Sequence, residues 1–399
     1  MPSLQHQRSR RGDHWDVVVV GAGVFGAWTA WSFLRKGRRV LLLDACGPAN
    51  ARSSSGGESR MTRTTYGADE VYTRMAWESL PDWKWLSEST DLPIFHRLGV
   101  LFFFASMGAY AAGTVDIHRK LNLPIETLDR VALARRFPQF RWDGIEVGLL
   151  EPDFGALMAR RAVQALLMRF TAAGGEYRLA EVQAPRTALP EADALDEIVV
   201  SAGERLEASD YVFACGPWLP KLFPDVLDSR IFVTRQEVFF FAAPRGDARF
   251  QPGAMPGWVD FNQGEMFYGS PDLEARGVKV APDRHGPPMD PDACDRLPSA
   301  EVLAEVRAYM ARRLPALARQ PLNESRICQY ESTSSGDFLI DRHPRWRNVW
   351  LVGGGSGHGF KHGPAVGRYA AQLLSGEHLA LEPRFSLAAK SKRQQRAVH

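Results

Sequence analysis

The first clear hydrophobic pattern lies near the start of the chain. Residues 16–20 form a short run rich in β-branched side chains, typical of a buried parallel strand, and residues 39–43 form a second apolar run. Between them, residues 24–36 have helical composition, and Gly37 ends the predicted helix. The pattern of strand, helix and strand predicts the first unit of a doubly wound sheet.

A glycine turn joins the first predicted strand to the helix. Gly21 permits a tight turn, Gly23 lets the backbone approach a pyrophosphate, and Gly26 lets the helix pack closely on the sheet. Asp44 follows the second strand, 18 positions after Gly26, where an acid accepts the ribose hydroxyls. The pattern predicts an adenine dinucleotide with an unphosphorylated ribose, and it leaves FAD and NAD both open.

Two later segments also run from a predicted strand into glycine. Residues 210–215 lead into Gly216 and Trp218, and residues 348–352 lead into a glycine loop at 353–359 that precedes a predicted helix. In doubly wound folds such loops lie at the carboxyl edge of the sheet, where ligands bind. We therefore expect the last part of the chain to return to the first domain.

The segments between these units differ in character. They are predicted as a helix at 155–173, strands at 176–182 and 197–200, aromatic strands at 98–104 and 231–242, strand and turn at 268–279, a surface loop at 282–291 and a helix at 298–314. They indicate a mixed α+β substrate domain inserted into a Rossmann-like domain. The predicted fold class is therefore α/β.

The composition is that of an ordinary globular protein, with 45% hydrophobic and 24% charged residues. The formal net charge is only +3, so no strong field attracts nucleic acid or an anionic membrane. The basic excess gathers near the two ends, at Arg8, Arg10 and Arg11 and at Lys390, Lys392, Arg393 and Arg396. We expect these ends to be solvated tails.

Targeting, membrane and metal signals are not recognisable in this sequence. No apolar run approaches the length of a membrane span, and the residues after Arg11 do not form the apolar part of a signal peptide. Cys46, Cys215, Cys294 and Cys328 are dispersed and lack metal or dithiol spacing. We expect a cytoplasmic protein without a metal site or a disulfide framework.

Several longer motifs allow a more specific comparison. They are Gly-Glu-Ser-Arg-Met-Thr-Arg-Thr-Thr-Tyr-Gly at 57–67, Gly-Val-Lys at 277–279, Cys-Gln-Tyr at 328–330, Phe-Leu-Ile-Asp-Arg-His-Pro at 338–344 and Gly-His-Gly-Phe-Lys at 357–361. With these motifs, nearly the whole chain resembles the monomeric sarcosine oxidases, within the D-amino-acid-oxidase-like FAD amine oxidases. The resemblance implies FAD as the cofactor and an FAD-binding domain beside a substrate domain.

The resemblance and the patterns together give the domain boundaries. We expect a discontinuous FAD-binding domain at 14–95, 152–228 and 326–385, a substrate domain at 96–151 and 229–325, and basic tails at 1–13 and 386–399. The cofactor-binding residues implied are Gly21, Gly23, Gly26, Asp44, Gly216, Trp218, Cys328, Gly357, Gly359 and Lys361.

The resemblance also implies roles for cations and for a cysteine. Cys328 matches the position that forms a thioether to the flavin, although an isolated cysteine is commonly just a buried thiol. Arg63 and Lys361 match the two cations that hold the substrate carboxylate. Lys279 matches the lysine that promotes the reaction with oxygen, and Arg60 matches an arginine near the flavin ring.

Two tyrosines and two departures from the family pattern concern the substrate. Tyr268 and Tyr330 match aromatic side chains of the substrate pocket. Gly56 and Asp283 stand where the family has histidines. We expect Gly56 to enlarge the pocket and Asp283 to place a negative charge near a basic substrate group, so that sarcosine itself is in doubt as the substrate.

These implications give a functional hypothesis and its alternatives. The chain is predicted to oxidise the C–N bond of a carboxylate-bearing secondary amine, N-methyl or cyclic, to an imine and to reduce O2 to H2O2. Alternatives are a biosynthetic amine or amino acid oxidase or dehydrogenase with a larger substrate, and a non-catalytic flavin-binding protein. A serine hydrolase at Ser356 is disfavoured because the G-x-S-x-G pattern is incomplete. The partners expected are a small amine and O2, with a monomer or small oligomer.

Overall fold

The computed structural model describes residues 14–186, 191–262, 265–377 and 381–395. These residues fold into two compact units. Unit 1 comprises residues 14–56, 160–233 and 330–395, and unit 2 comprises residues 57–159 and 234–329, in each case as far as they are described.

Strands and helices follow one another in mixed order along the described part of the chain. The strands are β1 (Trp15–Val20), β2 (Val40–Asp44), β3 (Arg60–Thr62), β4 (Phe95–Arg97), β5 (Val100–Phe104), β6 (Glu126–Asp129), β7 (Val147–Glu151), β8 (Gly155–Leu157), β9 (Glu176–Leu179), β10 (Glu197–Val199), β11 (Arg205–Phe213), β12 (Ile231–Phe241), β13 (Gly257–Asn262), β14 (Glu265–Ser270), β15 (Val278–Pro282), β16 (Leu322–Thr333), β17 (Leu339–Arg342) and β18 (Val349–Gly353). The α-helices are α1 (Val24–Arg35), α2 (Glu70–Glu88), α3 (Ala109–Leu121), α4 (Arg130–Arg136), α5 (Ala159–Ala172), α6 (Leu219–Leu222), α7 (Pro224–Leu227), α8 (Ala300–Arg313) and α9 (Gly363–Leu374).

The sheet of unit 1 is the predicted doubly wound sheet. Its strands have the order β17-β18-β11-β1-β2-β9, with β10 paired on β11. β1 is parallel to both β2 and β11, and β11 is parallel to β18. The apolar runs of β1 and β2 are almost wholly buried because the sheet is covered on both faces. This arrangement confirms the predicted fold class and the return of the chain to its first domain.

The first and last long helices of unit 1 pack closely together. A Cβ atom at Gly363 of α9 would lie 2.6 Å from the indole of Trp28 in α1, and one at Gly367 would lie 2.5 Å from the Trp28 backbone. Glycine at these positions lets the two helices approach one another over the same face of the sheet.

The sheet of unit 2 has the strand order β16-β12-β15-β14-β13-β5-β7-β6. Phe102 lies opposite Val259, which lies opposite Tyr268, so the three share one face. Alternation along β15 and β7 places Lys279 and Glu151 on that face as well. We call this the polar face because it carries the buried charged residues Lys279 and Glu151.

The opposite face of this sheet carries an aromatic core. Phe103, Phe239, Trp258 and Phe267 are buried there, together with Tyr309 of α8. Tyr309 stacks on Phe267 with a distance of 3.9 Å between ring centroids. This aromatic core stabilises the sheet. The predicted site residues Tyr268 and Lys279 lie on the opposite, polar face.

A small sheet, β3-β8-β4, determines part of the division between the units. β8 pairs with both β3 and β4, so these strands belong together in unit 2. Residues 57–95, 152–159 and 326–329 lie in unit 2, whereas the sequence assigned them to the FAD-binding domain, and residues 229–233 lie in unit 1, whereas the sequence assigned them to the substrate domain. The predicted helix at 155–173 is wrong at its start, because Gly155–Leu157 forms β8 and α5 begins at Ala159.

The predicted basic tail after residue 386 is wrong for Lys390. Its side chain is only 2% exposed, and its Nζ donates to the carbonyl of Arg384. Arg230 donates to the carbonyls of Leu387 and Lys390 at 3.1 and 3.2 Å and holds this segment on unit 1. The predicted tail 1–13 and Arg396 lie outside the described residues. Across the described part of the chain, helices fall short of the length and apolarity that a membrane span requires.

Candidate active site

The glycine turn after β1 has the tight backbone that the sequence predicted. Gly21 has φ +102°, and a Cβ atom there would lie 2.4 Å from the carbonyl oxygen of Ala214. A Cβ at Gly26 would lie 1.8 Å from the carbonyl oxygen of Gly21. Both positions exclude a larger residue, so α1 begins directly against the carboxyl edge of the sheet.

The N-terminus of α1 has room for a phosphate. A Cβ atom at Gly23 would have only the Oγ of Ser55 nearby, at 3.5 Å. That Oγ accepts a hydrogen bond from the backbone N–H of Val24 at 3.1 Å. Ser55 was missed by sequence reasoning because it lies 31 residues from Val24 in an irregular segment. A glycine that leaves space, a hydroxyl and the N–H groups at the start of a helix are features that bind a pyrophosphate in other proteins.

Asp44 lies beside the glycine turn. Its Oδ2 accepts from the N–H of Ala22 at 2.8 Å, and its Oδ1 accepts from the N–H of Cys46 at 2.9 Å. Burial raises the pKa of Asp44 above its usual value, and these N–H groups oppose that rise. Each oxygen keeps a lone pair for a ribose hydroxyl. The residues of this edge therefore fit the ADP part of FAD.

The loop after β11 also lies at the carboxyl edge. Gly216 has φ +51° and begins a short 3₁₀ helix that ends at Trp218. The guanidinium of Arg52 lies 5.6 Å from the Trp218 ring centroid. Arg52 is a second residue that the sequence patterns missed, because it lies in the irregular segment after β2.

The second glycine loop brings four predicted residues together in unit 1. A Cβ atom at Gly357 would lie 2.7 Å from the ring of Tyr330, and one at Gly359 would lie 2.9 Å from the Cα of Gly355. The buried Nζ of Lys361 donates to the carbonyl of His358 at 2.7 Å. The loop therefore folds tightly around Tyr330 and fixes the position of the lysine.

Unit 2 brings the remaining predicted residues together. The buried Nζ of Lys279 donates to the carbonyl of Ser59 at 2.7 Å and lies 5.2 Å from the ring centroid of Tyr268. Burial, together with the positive charge of Arg60, lowers the pKa of Lys279 to about 7. Lys279 is thus a cation whose charge changes near neutral pH.

Arg60 and Cys328 are neighbours in unit 2. The Nη2 of Arg60 donates to the Sγ of Cys328 at 3.3 Å, and its Nη1 donates to the carbonyls of Gly57 and Ser59 at 3.1 Å each. Arg60 therefore places a positive charge beside the sulfur of Cys328.

Arg63 is a buried guanidinium, with 7% of the residue exposed. It lies 4.2 Å from the ring centroid of Tyr66 and 5.3 Å from that of Phe102. Its Nη1 donates to the carbonyl of Thr65, and it forms no ion pair with a carboxylate among the described residues. Burial lowers the pKa of Arg63, but nearby tyrosines and carboxylates outweigh this effect and raise it. Arg63 therefore stays charged and keeps N–H groups for a further acceptor.

Asp283 continues the polar face beyond β15. Its N–H donates to the carbonyl of Met266 at 2.7 Å. Its negative charge contributes to the raised pKa of Arg63, and at Lys279 it opposes the lowering of the pKa by burial and Arg60. The acid therefore lies within electrostatic range of both cations.

The prediction that Gly56 enlarges the pocket is wrong. A Cβ atom at Gly56 would lie 1.9 Å from the carbonyl oxygen of Asn50, so backbone already occupies that side. The carbonyl of Gly56 accepts from the Nε and Nη2 of Arg160 at 3.1 and 2.9 Å. Glycine is required here by the close packing of the backbone.

Sequence reasoning also missed a buried carboxylate near Arg63. Glu151 ends β7 on the polar face and accepts hydrogen bonds from Thr64 and Thr65. The available signal was an acid directly after an apolar run at 147–150. This pattern does not predict which residues bind Glu151, because the two threonines are more than 80 residues away in sequence.

Comparison with known proteins connects these features to a family. The family model described as FAD dependent oxidoreductase matches residues 16–373. The monomeric sarcosine oxidase of Streptomyces avermitilis is 31% identical over 364 residues, which are 90% of this chain and 93% of the relative. The N-methyl-L-tryptophan oxidase of Salmonella arizonae is 29% identical over 365 residues, which are 90% of this chain and 94% of the relative.

A solved structure shows the same fold at lower identity. The L-proline dehydrogenase of P. horikoshii is similar with a TM-score of 0.81 at 19% identity, over 94% of this chain and 97% of that chain. The likeness therefore extends through both units and supports the fold alone.

Proposed function

Because the chain belongs to the family of FAD-dependent oxidoreductases, we propose that it oxidises a carboxylate-bearing secondary amine to an imine. FAD, when bound, supplies the two-electron acceptor for this reaction. The relatives named sarcosine oxidase and N-methyl-L-tryptophan oxidase support an N-methyl amino acid as the substrate type. A cyclic amino acid has the same C–N bond beside a carboxylate.

The proposal rests mainly on the burial and the hydrogen bonding of the Arg63 guanidinium. The buried guanidinium of Arg63 lies against Tyr66 and Phe102, forms no ion pair among the described residues, and keeps N–H groups from which an anion can accept hydrogen bonds. A carboxylate matches the planar N–H fork of arginine. We propose that Arg63 binds the substrate carboxylate and thereby orients the amine. Lys361 is the proposed second cation for this group.

The amine is proposed to bind as the neutral free base. Tyr268 and Tyr330 are proposed as aromatic surfaces that orient its carbon skeleton. Asp283 is proposed to face a basic group of the substrate, since it already acts on the charges of Arg63 and Lys279. Positioning and electrostatics are then what the protein contributes to the rate.

We propose dioxygen as the final electron acceptor and hydrogen peroxide as the product. Lys279 is buried, and a positive charge held away from water stabilises negative charge that develops on oxygen. Peroxide released in air, in proportion to the amine consumed, would support an oxidase. Turnover only with an added electron carrier would instead support a dehydrogenase.

A covalent thioether between Cys328 and the flavin is also proposed. The match of Cys328 to the family position that bonds to the flavin supports it, and the Nη2 of Arg60, which matches an arginine near the flavin ring, lies 3.3 Å from the Cys328 sulfur. Acid precipitation of the purified protein tests it. Yellow colour in the wild-type pellet and none in a Cys328→Ser pellet is the expected result, and colour wholly in the wild-type supernatant would contradict the bond.

The main experiment compares amines with and without the carboxylate. N-methyl and cyclic amino acids, and their carboxamides, are mixed with the protein without air, and bleaching of the flavin absorbance is recorded. We expect bleaching by at least one carboxylated amine and roughly 10²-fold weaker binding of that amine by Arg63→Gln.

The control for this experiment is Arg119→Gln, which changes an exposed arginine of the same unit and should behave like the wild type. Bleaching by dithionite but by no carboxylated amine would contradict the proposed function and favour a non-catalytic flavin-binding protein.

A further inference from the structure

The segment that carries Arg63 has no regular secondary structure. Between β3 and α2, residues 63–67 form an extended loop, yet Arg63, Thr64, Thr65 and Tyr66 are all buried. A buried loop has backbone groups that no strand or helix pairs, so other side chains must satisfy them. The identity of those side chains shows what holds Arg63 in place.

The largest contribution comes from Glu151, which is 0% exposed. Its Oε1 and Oε2 accept from the N–H of Thr64 at 3.0 and 3.1 Å, and its Oε1 accepts from the Oγ1 of Thr64 at 2.9 Å. The Oγ1 of Thr65 donates to the same Oε1 at 2.7 Å. One carboxylate thus binds the two residues that follow Arg63.

His118 of α3 completes this cluster. Its Nδ1 donates to the carbonyl of Thr114 at 2.8 Å, which directs its Nε2 towards the loop. The Nε2 lies 3.0 Å from the Oγ1 of Thr64 and 3.5 Å from the Oε1 of Glu151. Burial raises the pKa of Glu151, but His118 and the threonine hydroxyls outweigh this effect and hold the pKa below its usual value.

The cluster is linked to the Arg63 guanidinium through Thr65. While the Thr65 hydroxyl donates to Glu151, the Thr65 carbonyl accepts from the Nη1 of Arg63 and from the hydroxyl of Tyr110 at 3.1 Å. A change at the Glu151 carboxylate therefore moves the Thr65 carbonyl, which accepts a hydrogen bond from Arg63. The stacking rings on either side limit where the guanidinium can go.

We propose that Glu151 is the positioning residue for Arg63. Through Thr64 and Thr65 it fixes the backbone and one N–H of Arg63, so that the other N–H groups point in a constant direction for the substrate carboxylate. The inference rests on the proposed function, in which Arg63 binds that carboxylate. It adds a group that touches neither substrate nor flavin but determines affinity for the carboxylate.

Acetate is the probe that separates positioning from folding. Acetate binding to the flavin-loaded protein is titrated by the change in flavin absorbance, with acetamide as the uncharged comparison. We expect Glu151→Gln to raise the Kd for acetate about tenfold, since an amide cannot accept from all these donors and the guanidinium loses its fixed support. The response to acetamide should not change.

A second pair of variants tests the link without removing the charge. Thr65→Val keeps the shape but loses the hydroxyl, and it should raise the acetate Kd in the same direction. Thr65→Ser restores the donor and should restore the wild-type Kd. These variants keep the inference testable even if Glu151→Gln unfolds.

A matched control uses the other face of the same sheet. Asp260 is also a buried carboxylate, held by Arg313 Nε at 2.9 Å and Tyr309 OH at 3.1 Å. Asp260→Asn should lower the melting temperature without changing the acetate Kd. An effect of the same size on the acetate Kd in this variant would mean that Glu151 acts only through stability, which would overturn the inference.

The outcomes also separate the inference from the proposed function. If Arg63→Gln abolishes acetate binding while Glu151→Gln and Thr65→Val leave it unchanged, the inference is wrong and the carboxylate site stands. If acetate does not bind the wild-type protein, or binds Arg63→Gln equally well, both are wrong.

Discussion

The buried cations Arg63, Lys279 and Lys390 differ in what keeps or removes their charge. Arg63 stays charged because tyrosines and carboxylates surround it. Burial lowers the pKa of Lys279 to about 7 and that of Lys390 to about 8. A lysine ammonium is easily deprotonated on burial, whereas a guanidinium is not. At neutral pH, therefore, only the lysines are poised to change their charge.

Oxygen reactivity should depend on the charge of Lys279. The folded pKa of about 7 lies well below the usual value of a lysine, so the cation is present below about pH 7 and is lost as the pH rises. We expect flavin reoxidation by O2 to slow as the pH rises through about 7. Lys279→Met should be slower by roughly 10²-fold and should lack this pH dependence. Stopped-flow mixing of the reduced protein with oxygen measures both.

Lys390→Met is the matched control for this prediction. Lys390 is also buried with a lowered pKa, but it lies in the C-terminal segment of unit 1. Its variant should reoxidise like the wild type. A wild-type rate that increases with pH would contradict the proposed role of Lys279.

At the scale of elements, α1 and the strands around it follow from local sequence, whereas α2 does not. The sequence patterns gave no helix for residues 70–88, and Pro81 lies inside this helix. An interior proline disfavours a helix by local criteria. Burial of Tyr72, Trp83 and Leu86 stabilises the helix once the rest of unit 2 is present. Tertiary packing therefore overrides the local preference.

The contact between α1 and its glycine turn should control cofactor retention. In Gly26→Ala the new methyl group would meet the carbonyl of Gly21, which forces α1 away from the sheet. We expect a loss of about 1–3 kcal/mol in the free energy of unfolding and a lower flavin content. Gly108→Ala places a methyl in open space at the start of α3 and should change neither. A normal flavin content in Gly26→Ala would contradict the predicted close contact.

The C-terminal segment should contribute to the stability of unit 1. Phe385 is 1% exposed and lies with its ring centroid 5.8 Å from that of Phe338. Phe385→Ala should lower the free energy of unfolding by about 3–5 kcal/mol, as measured by denaturant titration. Leu381→Ala, at a residue that is 64% exposed, should change it by less than about 0.5 kcal/mol. Equal effects of the two substitutions would show that this segment is not docked.

At the scale of the whole molecule, stability should depend on the pH through His343. Its Nδ1 accepts from the N–H groups of Arg345 and Trp346 at 3.2 Å each, so the ring is the neutral Nε2–H tautomer. Burial, together with the charge of Arg345, lowers the pKa of His343 to about 4. Protonation in the folded protein would break both acceptor contacts.

The sign of the effect follows from the lowered pKa. Above about pH 6.5 the contribution of His343 is complete, and it is lost as the pH falls towards about 4, because the unfolded chain binds the proton first. The loss is on the order of 3 kcal/mol. His343→Asn keeps a hydrogen-bond acceptor that does not titrate. The free energy of unfolding of this variant should therefore depend less on the pH between about 6.5 and 4.

The control for His343 is His14→Asn at an exposed histidine, which should keep the wild-type pH dependence. An identical acid unfolding profile for His343→Asn and the wild type would contradict the assignment of the tautomer.

The dinucleotide edge of unit 1 was predictable from the sequence because its motifs lie close together along the chain. A strand, a glycine turn, a helix and an acid lie within residues 16–44, and this order is recognisable without the rest of the chain. The family motifs likewise identified Arg60, Arg63, Lys279 and Cys328 as candidates, although not their contacts.

The contacts that support these candidates join parts of the chain that are far apart in sequence. The pairing of β8 with β3 and β4 places residues 57–95 in unit 2, although the sequence patterns assigned them to the FAD-binding domain. Glu151 reaches Thr64 and Thr65 across more than 80 residues of chain. Periodicity reports only neighbours in sequence, whereas a buried polar group takes its partner from whatever the folded chain brings beside it.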